Sequence, residues 1–430
     1  MARFLHVADV HLGFDRYDSK ERTLDFFYAF RDVLRRHAIA PQVDFVVIAG
    51  DLFEHRSLQP NILNHAKVCL QELAAAGIPA IAIEGNHDNC PYGTTISWLR
   101  YLSESYGLIL LEPEQSETGE TILTPWDADT YRGGYIDLPC GVRVLGSQWY
   151  GAAAPTAIAQ LANAIQQLPP APGPTVMLFH HGLEGQIARY QGALRYADLL
   201  PLQQAGVDYL ALGHIHKHYS EQGWIFNPGS LEANSVEEGS FTRGAYVVEI
   251  SPAGIRAELT QDYQQRPILR LKLMLRGQEQ VEEVEAAAIA TVDDALQSGK
   301  LRREEQAIVE LRIDGQVGFE RLDLDTRQLQ QRLKEHSNAL IFLLKYEANL
   351  TEYASPIAED ASRFQVEREV FLDLVTAHNS YKKQAAVLAK GLIDLKEMQQ
   401  DGRSEPDLYD FMAQLLTGEA THPEALTGDD

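Results

Sequence analysis

The stretch Asp44-Phe45-Val46-Val47-Ile48-Ala49-Gly50-Asp51-Leu52-Phe53 sets an apolar run against a glycine and an acid. A short apolar, β-branched run that stops at a turn signal predicts a buried strand. The figure recurs along the chain. Comparable runs lie at 3–8 (ArgPheLeuHisValAla), 79–83 (ProAlaIleAlaIle), 142–146 (ValArgValLeuGly), 175–179 (ThrValMetLeuPhe) and 208–212 (AspTyrLeuAlaLeu). Between the runs at 44 and 79, residues 61–77 carry apolar side chains at helical spacing and close on Gly77. Strand and helix in alternation predict an α/β layered domain over residues 1–262.

The residues just past the end of each run carry the chemistry. The chain places Asp9-Val10-His11 after the first, Gly50-Asp51 after the second and Gly85-Asn86-His87-Asp88 after the third. His180-His181 and Gly213-His214-Ile215-His216 come after two later ones. In α/β sheets the carboxyl ends of the strands line a common crevice. One polar turn after a buried strand means little, but five bearing Asp, Asn or His point to a shared site. Carboxylate, amide oxygen and imidazole together suit borderline divalent ions. No cysteine sits among them, which disfavours a structural zinc knot. Asp9 and His11, two apart on extended chain, face the same side, and so do His214 and His216.

Composition bounds the rest. At 430 residues the chain is long enough for two or three domains, and 45% hydrophobic with 23% charged residues is ordinary globular make-up. A net charge of −24 argues against unaided, non-specific grip on nucleic acid, although metal ions can supply positive charge locally. Three cysteines without paired spacing (Cys69, Cys90, Cys140) suit a reducing compartment. No signal-like segment and no bilayer-length apolar run is visible, so the expectation is a soluble, cytoplasmic protein with no membrane contact.

After about residue 265 the pattern changes. A period-two run at 269–275, a Glu/Ala-rich helical stretch, a run at 307–313, a helix at 326–337 and a run at 340–346 predict a separate small α/β module over 263–350. Residues 351–430 read as a helical C-terminal segment with an acidic tail, and Val370, Phe371, Leu374, Val375, Ala386, Leu388, Leu392 and Leu395 could dock a partner or pack on their own protein.

Taken in order, DxH, GDLF, GNHD, a strand-end histidine and GHIH resemble the calcineurin-like metallophosphoesterase superfamily. Residues 7–13 (ValAlaAspValHisLeuGly) and 49–54 (AlaGlyAspLeuPheGlu) resemble its SbcD-type nuclease branch, which serves DNA double-strand-break repair. AsnProGlySerLeuGlu (227–232) and ArgGlyAlaTyrValValGlu (243–249) extend that likeness, which covers residues 3–250. The resemblance implies a layered β-sandwich flanked by helices, with 263–350 as a capping domain. It implies two divalent ions, Mn²⁺ by preference, one on Asp9, His11 and His216, the other on Asn86, His180 and His214, with Asp51 between them. It also implies metal-hydroxide attack on the phosphodiester of DNA ends, with His87 as a catalytic residue and Asp88 orienting it. An SbcC-type coiled-coil ATPase and a second copy of the chain would be partners.

Two positions depart from the branch. Glu54, then His55, stands where a histidine directly follows GDLF, and the doublet His180-His181 stands where one histidine is needed. His180 completes the strand run; His181 is the other choice. Arg189, Tyr190 and Arg195 are candidate substrate contacts, because aromatics stack on bases and arginine binds phosphate, but an amphipathic helix start reads equally well. Arg100 and Arg132 stand open in the same way. His6 reads as a core histidine, and Cys69 as core on its helix. Competing functions are a phosphoesterase of small nucleotides, cyclic nucleotides or phosphoproteins, and a non-catalytic scaffold of the same fold.

Overall fold

The computed structural model describes residues 1–116, 119–187, 192–320, 323–350, 363–376, 381, 384–401 and 403–417. The chain divides into two compact units, one of residues 1–274, 281–314 and 324–347, the other of 275–280, 315–323 and 348–430. The second boundary set does not coincide with the 263–350 module expected from the change in sequence pattern.

The first unit begins with strands β1 (Ala2–Val7), β2 (Phe45–Ala49), β3 (Ala80–Ile83) and β4 (Leu108–Leu110). After a two-stranded hairpin, β5 (Glu114–Gln115) and β6 (Thr121–Ile122), come β7 (Tyr135–Asp137), β8 (Arg143–Leu145), β9 (Thr175–His180) and β10 (Tyr209–Gly213). Next in the chain are β11 (Tyr219–Glu221), β12 (Ile225–Asn227), β13 (Ala245–Ser251) and β14 (Gly254–Thr260). They form two six-stranded sheets, β14-β13-β1-β2-β3-β4 and β11-β12-β10-β9-β8-β7. Within each, the strands that carry polar endings pair in parallel: β1 with β2 and β2 with β3, and β9 with β10.

The period of two in these strands sends alternate side chains to two different cores. Phe4, Phe45, Val47, Ile81 and Ile83 of the first sheet meet Val176, Leu178, Tyr209 and Ala211 of the second in one buried layer. Phe4 stacks on Phe45 at 4.7 Å and meets Tyr209 edge-on at 5.2 Å, an arrangement that adds specific geometry to area burial. The intervening residues Leu5, Val7, Val46 and Ile48 face outward onto α1 (Lys20–Leu34), α2 (Pro60–Ala75) and α3 (Trp98–Tyr106). On the far side Met177, Phe179, Leu210 and Leu212 pack under α4 (Ala154–Gln166) and α5 (Tyr196–Gln204). The result is a helix–sheet–sheet–helix sandwich, as expected, with both faces of every central strand covered.

Local signals fix the helix ends. Ser19 and Ser97 cap α1 and α3 by accepting from Arg22 N and Arg100 N, and Pro60 opens α2, where its missing N–H costs nothing. His6 is buried between Tyr209 Oη at 3.0 Å and the Leu212 carbonyl at 3.1 Å, so it is a core residue.

The first unit also holds β15 (Ile268–Arg276), α6 (Val281–Gln297), β16 (Ile308–Val317), α7 (Thr326–Ser337) and β17 (Ile341–Tyr346) for the most part, with sheet order β15-β16-β17. In the second unit β18 (Asn349–Leu350) pairs with Gln316 and Val317. Its helices are α8 (Arg363–Thr376), α9 (Ala385–Gln400) and α10 (Glu405–Thr417). Lys396 reaches Glu367 at 2.6 Å, and Leu388, Ala389, Ile393 and Leu415 are buried. Among the described residues no helix is long and apolar enough to cross a membrane.

Candidate metal centre

The polar strand endings do meet, but they come from two sheets rather than one. Past β1 and β2 the parallel pairing continues into the turns: the amides of Val10 and His11 donate to the Asp51 carbonyl at 2.9 and 3.1 Å, and Leu12 N donates to Leu52 O at 2.9 Å. The second sheet delivers His180 at the end of β9 and His214 just past β10. Asp9 ties the sheets together, with both carboxylate oxygens 2.9 Å from the His214 amide.

The turns are strained. Asp9, His11, Asp51 and His214 all adopt left-handed backbone, with φ of 51°, 50°, 52° and 96°. Such conformations cost about 1–3 kcal/mol each outside glycine and cluster where function demands them. Gly50, at φ 90°, belongs to the same bend, and a Cβ there would collide with the His180 ring. Composition and periodicity carry no signal for this strain.

Three groups of donors result; one of them, His11, Glu54 and His87, shares His11 with the first of the two described next. In the first, the Nε2 atoms of His11 and His216 lie 3.1 Å apart, with Asp9 Oδ1 3.9 Å from His216 Nε2. In the second, His180 Nε2 lies 3.2 Å from both Asn86 Oδ1 and Asp51 Oδ2, and His214 Nδ1 lies 2.9 Å from the same Asn86 oxygen. Asp9, His11 and His216 form one group whose ligand atoms are close enough to share an ion, and Asp51, His180 and His214 form another. Nitrogens and oxygens crowded this way, without cysteine, fit borderline divalent cations. Charge agrees. His180 is pushed up to about 9, burial opposing the pull of Asp51, and His216 to about 9, burial opposing the pull of Glu238. Asp51 itself lies well below the usual carboxylate range: burial opposes this, and the imidazoles of His180, His11 and His87 prevail. A potential that draws protons this strongly draws cations too.

Of the groups behind the histidines, Glu54 stood out in the sequence only as a departure, and Glu238 not at all. Glu238 Oε1 sits 3.0 Å from His216 Nδ1. Glu54 Oε2 sits 2.7 Å from His11 Nδ1, in contact but without hydrogen-bond alignment, and neither atom has another hydrogen-bond partner. A buried imidazole nitrogen and carboxylate oxygen held together in this way form a cradle that favours positive charge. His180 is held instead through Nδ1 by the Ala49 carbonyl at 2.8 Å. Partners of this kind set the ring orientation of metal-ligating histidines. No motif marks Glu238, which lies far along the chain on a short turn.

His87 is placed differently from the expectation for Asp88. Its amide donates to Asp51 Oδ1 at 2.9 Å, and its Nδ1 faces the Glu54 carbonyl at 2.7 Å. The Asp88 carboxylate accepts from the amides of Leu52, Phe53 and Gly85 at 3.2, 3.0 and 3.0 Å. Asp88 therefore straps two turns together, and the Glu54 carbonyl orients the His87 ring. The reason is that three amides, from two different turns, converge on the Asp88 carboxylate.

Other candidates fall away from the centre. His181 is buried with its nitrogens on the Gly182 and Gly151 carbonyls and its ring stacked on Trp149 at 5.6 Å, so His180 is the member of the doublet that faces the cluster. His218 faces Tyr246 Oη at 2.6 Å. His55 pairs with Asp15 at 3.2 Å on the surface and does not take up the place of Glu54. Arg195 is bound to Asp198 at 2.7 Å in the cap of its own helix, and Arg100 is buried against Glu112 and the Tyr131 carbonyl. Arg189 and Tyr190 lie outside the described residues. One aromatic that no motif marks, the half-buried Trp149, packs 5.1 Å from the His214 ring.

Comparison with known proteins agrees with this geometry. Residues 2–218 match the model of the calcineurin-like phosphoesterase family. The chain is 32% identical over 249 residues to the DNA double-strand break repair protein Mre11 of Archaeoglobus fulgidus, covering 55% of this chain and 52% of that protein. It is 27% identical over 261 residues to the protein of the same name from Saccharolobus solfataricus, covering 58% and 61%. A shorter match, 45% identical over 87 residues, joins it to the Mre11 protein of Methanosarcina mazei, covering 20% of this chain and 14% of that one. The chain thus spans only about half the length of the first of these relatives, 52%. The matched residues contain every strand ending that builds the centre, and on that ground the chain belongs to the calcineurin-like phosphoesterase family.

Proposed function

We propose that the chain is a two-metal phosphodiesterase acting on DNA ends. The observation that carries this reading is the meeting of seven donors, Asp9, His11, Asp51, Asn86, His180, His214 and His216, from two sheets, two of them buried carboxylates, with His87 held beside them. Two divalent ions there, Mn²⁺ by preference, would supply positive charge and a water of lowered pKa. The protein's own contribution is position. Asp51, which sits 3.2 Å from His180 Nε2 and accepts from the His87 amide, would be the ligand that both ions share. His87 has its Nδ1 on the Glu54 carbonyl, which leaves Nε2 to carry or release a proton at a leaving oxygen. Trp149 packs against the His180 and His214 rings, with centroids 5.7 and 5.1 Å away. The break-repair names of the relatives support DNA as substrate.

A net charge of −24 is a poor match to a phosphate backbone, so we assign most of the DNA grip to a partner, an SbcC-type coiled-coil ATPase. The second unit suits such docking: Val370 and Leu374, one turn apart on α8, are 49% and 62% exposed. Residues 263–350 would act as the cap and 351–430 as the docking segment, in a dimer of nuclease chains in the cytoplasm.

End-labelled linear DNA, a cyclic nucleotide and a generic phosphodiester, each with Mn²⁺ and beside His87→Ala, test the reading. Cleavage of DNA that His87→Ala lowers about 100-fold or more is the expected result. Cleavage of the cyclic nucleotide alone would replace DNA with a small substrate. Two bound ions with no cleavage of anything would mark a scaffold.

A further inference from the structure

Four consecutive residues, Val236 to Gly239, touch two different parts of the first unit. Val236 is buried against Ile308 of β16 and Ile341 of β17. Glu237 Oε1 meets Lys345 Nζ at 2.8 Å, and the same ammonium reaches Glu310 Oε2 at 2.7 Å. Glu310, 1% exposed, also takes Arg270 of β15 at 2.8 Å. Gly239 lies so close to β15 that a Cβ there would stand 2.7 Å from Ile268 Cγ2. Between these anchors Glu238 points the other way, to His216 Nδ1 at 3.0 Å, while its second oxygen accepts from Asn234 N at 2.8 Å.

From this arrangement we infer that Glu238 is a positioning residue for His216, and that the turn 236–239 conveys the position of the β15-β16-β17 sheet to the first ion site. The inference rests on the two-ion reading above. A carboxylate behind a ligating imidazole fixes the tautomer and the ring plane, so that Nε2 presents its lone pair to the ion. Glu238 can do so only if its own backbone is fixed. Val236 and Gly239 fix it by contact on either side, through the sheet. The Lys345–Glu237 pair, with both side chains more than a third exposed, adds little by itself. Any displacement of that sheet moves Glu238 relative to His216. Affinity for one ion is thereby set by residues, Ile268 among them, that lie in a different sheet from every ligand.

Calorimetric titration of the full chain with Mn²⁺, alongside electron paramagnetic resonance of free Mn²⁺, separates the two binding steps. Metal-free melting curves and near-ultraviolet circular dichroism confirm that each variant folds. Glu238→Gln is expected to weaken one ion about 10- to 100-fold and leave the other unchanged. Gly239→Ala, which forces the turn off Ile268, is expected to weaken the same ion about 5-fold, and the double variant Gly239→Ala/Ile268→Ala, which removes the clashing methyl, to return it to within about 2-fold of the starting protein. Lys345→Met, which leaves the buried Glu310 to Arg270 alone, should weaken that ion about 2-fold. Folded Glu238→Gln or Gly239→Ala protein that binds both ions as before overturns the inference, and so does a double variant no better than Gly239→Ala. An unsubstituted chain that takes up fewer than two ions overturns the two-ion reading itself, and the coupling with it.

Discussion

The two donor groups of the centre, Asp9, His11 and His216 on one side and Asp51, His180 and His214 on the other, are built differently. Around His11 and His216 stand Asp9, Glu54 and Glu238, each histidine with a carboxylate behind its second nitrogen. Around Asn86, His180 and His214 the protein offers an amide oxygen, two imidazoles and a backbone carbonyl, with Asp51 as the carboxylate within the group. Opposite charges a few ångströms apart inside a protein interact strongly, so the carboxylate-rich group would hold a cation harder. The lesson is that a pair of ions bridged by one aspartate need not be an equal pair. On the proposed two-ion reading, one site would retain its cation and the other would exchange it.

This asymmetry can be broken in order of expected effect. Asp51→Ala removes the shared ligand and should abolish binding of a paired set of ions, with hydrolysis down about 1,000-fold or more in a phosphodiesterase assay. Asn86→Ala should weaken only the exchangeable ion, about 10- to 100-fold, and a calorimetric titration would then show one tight step remaining. If Asn86→Ala instead removed the tight step, the assignment of retained and exchangeable sites would be reversed. Glu54→Gln keeps the shape but removes charge behind His11, and the tight step should weaken about 10-fold with the weak step untouched.

The smallest effect lies away from the ions. His6, buried among Tyr209, Tyr246 and the Leu212 carbonyl, is pushed down to about 3 by burial. Between pH 6.5 and 3 the unfolded chain binds a proton at His6 that the folded chain refuses, so stability is full above the ordinary histidine value and falls as the medium is acidified. The slope is about 1.4 kcal/mol per pH unit for one such group. Denaturation of His6→Phe monitored from pH 7 to pH 4 should show a shallower loss than the parent. An identical slope would mean that His6 is protonated within the fold.

Much of this was legible in the sequence, and what was missed shares a cause. The buried runs at 44–49 and 175–179 are local patterns, and they became β2 and β9 within a residue. Asp9, Asp51, Asn86, His180 and His214 stood out because each ends or follows such a run. The distribution of those endings over two sheets was not legible from the runs, since period two shows that a strand has two faces and not which sheet it joins. The antiparallel strand β13 pairs with β1 from the other end of the domain, and β14 pairs with β13. Glu238 and the orienting role of the Glu54 carbonyl depend on where a turn lands after folding. Adjacency to His87 suggests an orienting role for Asp88, whereas its carboxylate is aimed at the amides of Leu52, Phe53 and Gly85.

Anomalous diffraction from crystals grown with Mn²⁺ bears most directly on the centre. Two peaks are expected, one on either side of the Asp51 carboxylate, the stronger beside His11 and His216 and the weaker beside Asn86 and His180. A single peak away from Asp51, or none within reach of these histidines, would contradict the paired-ion centre.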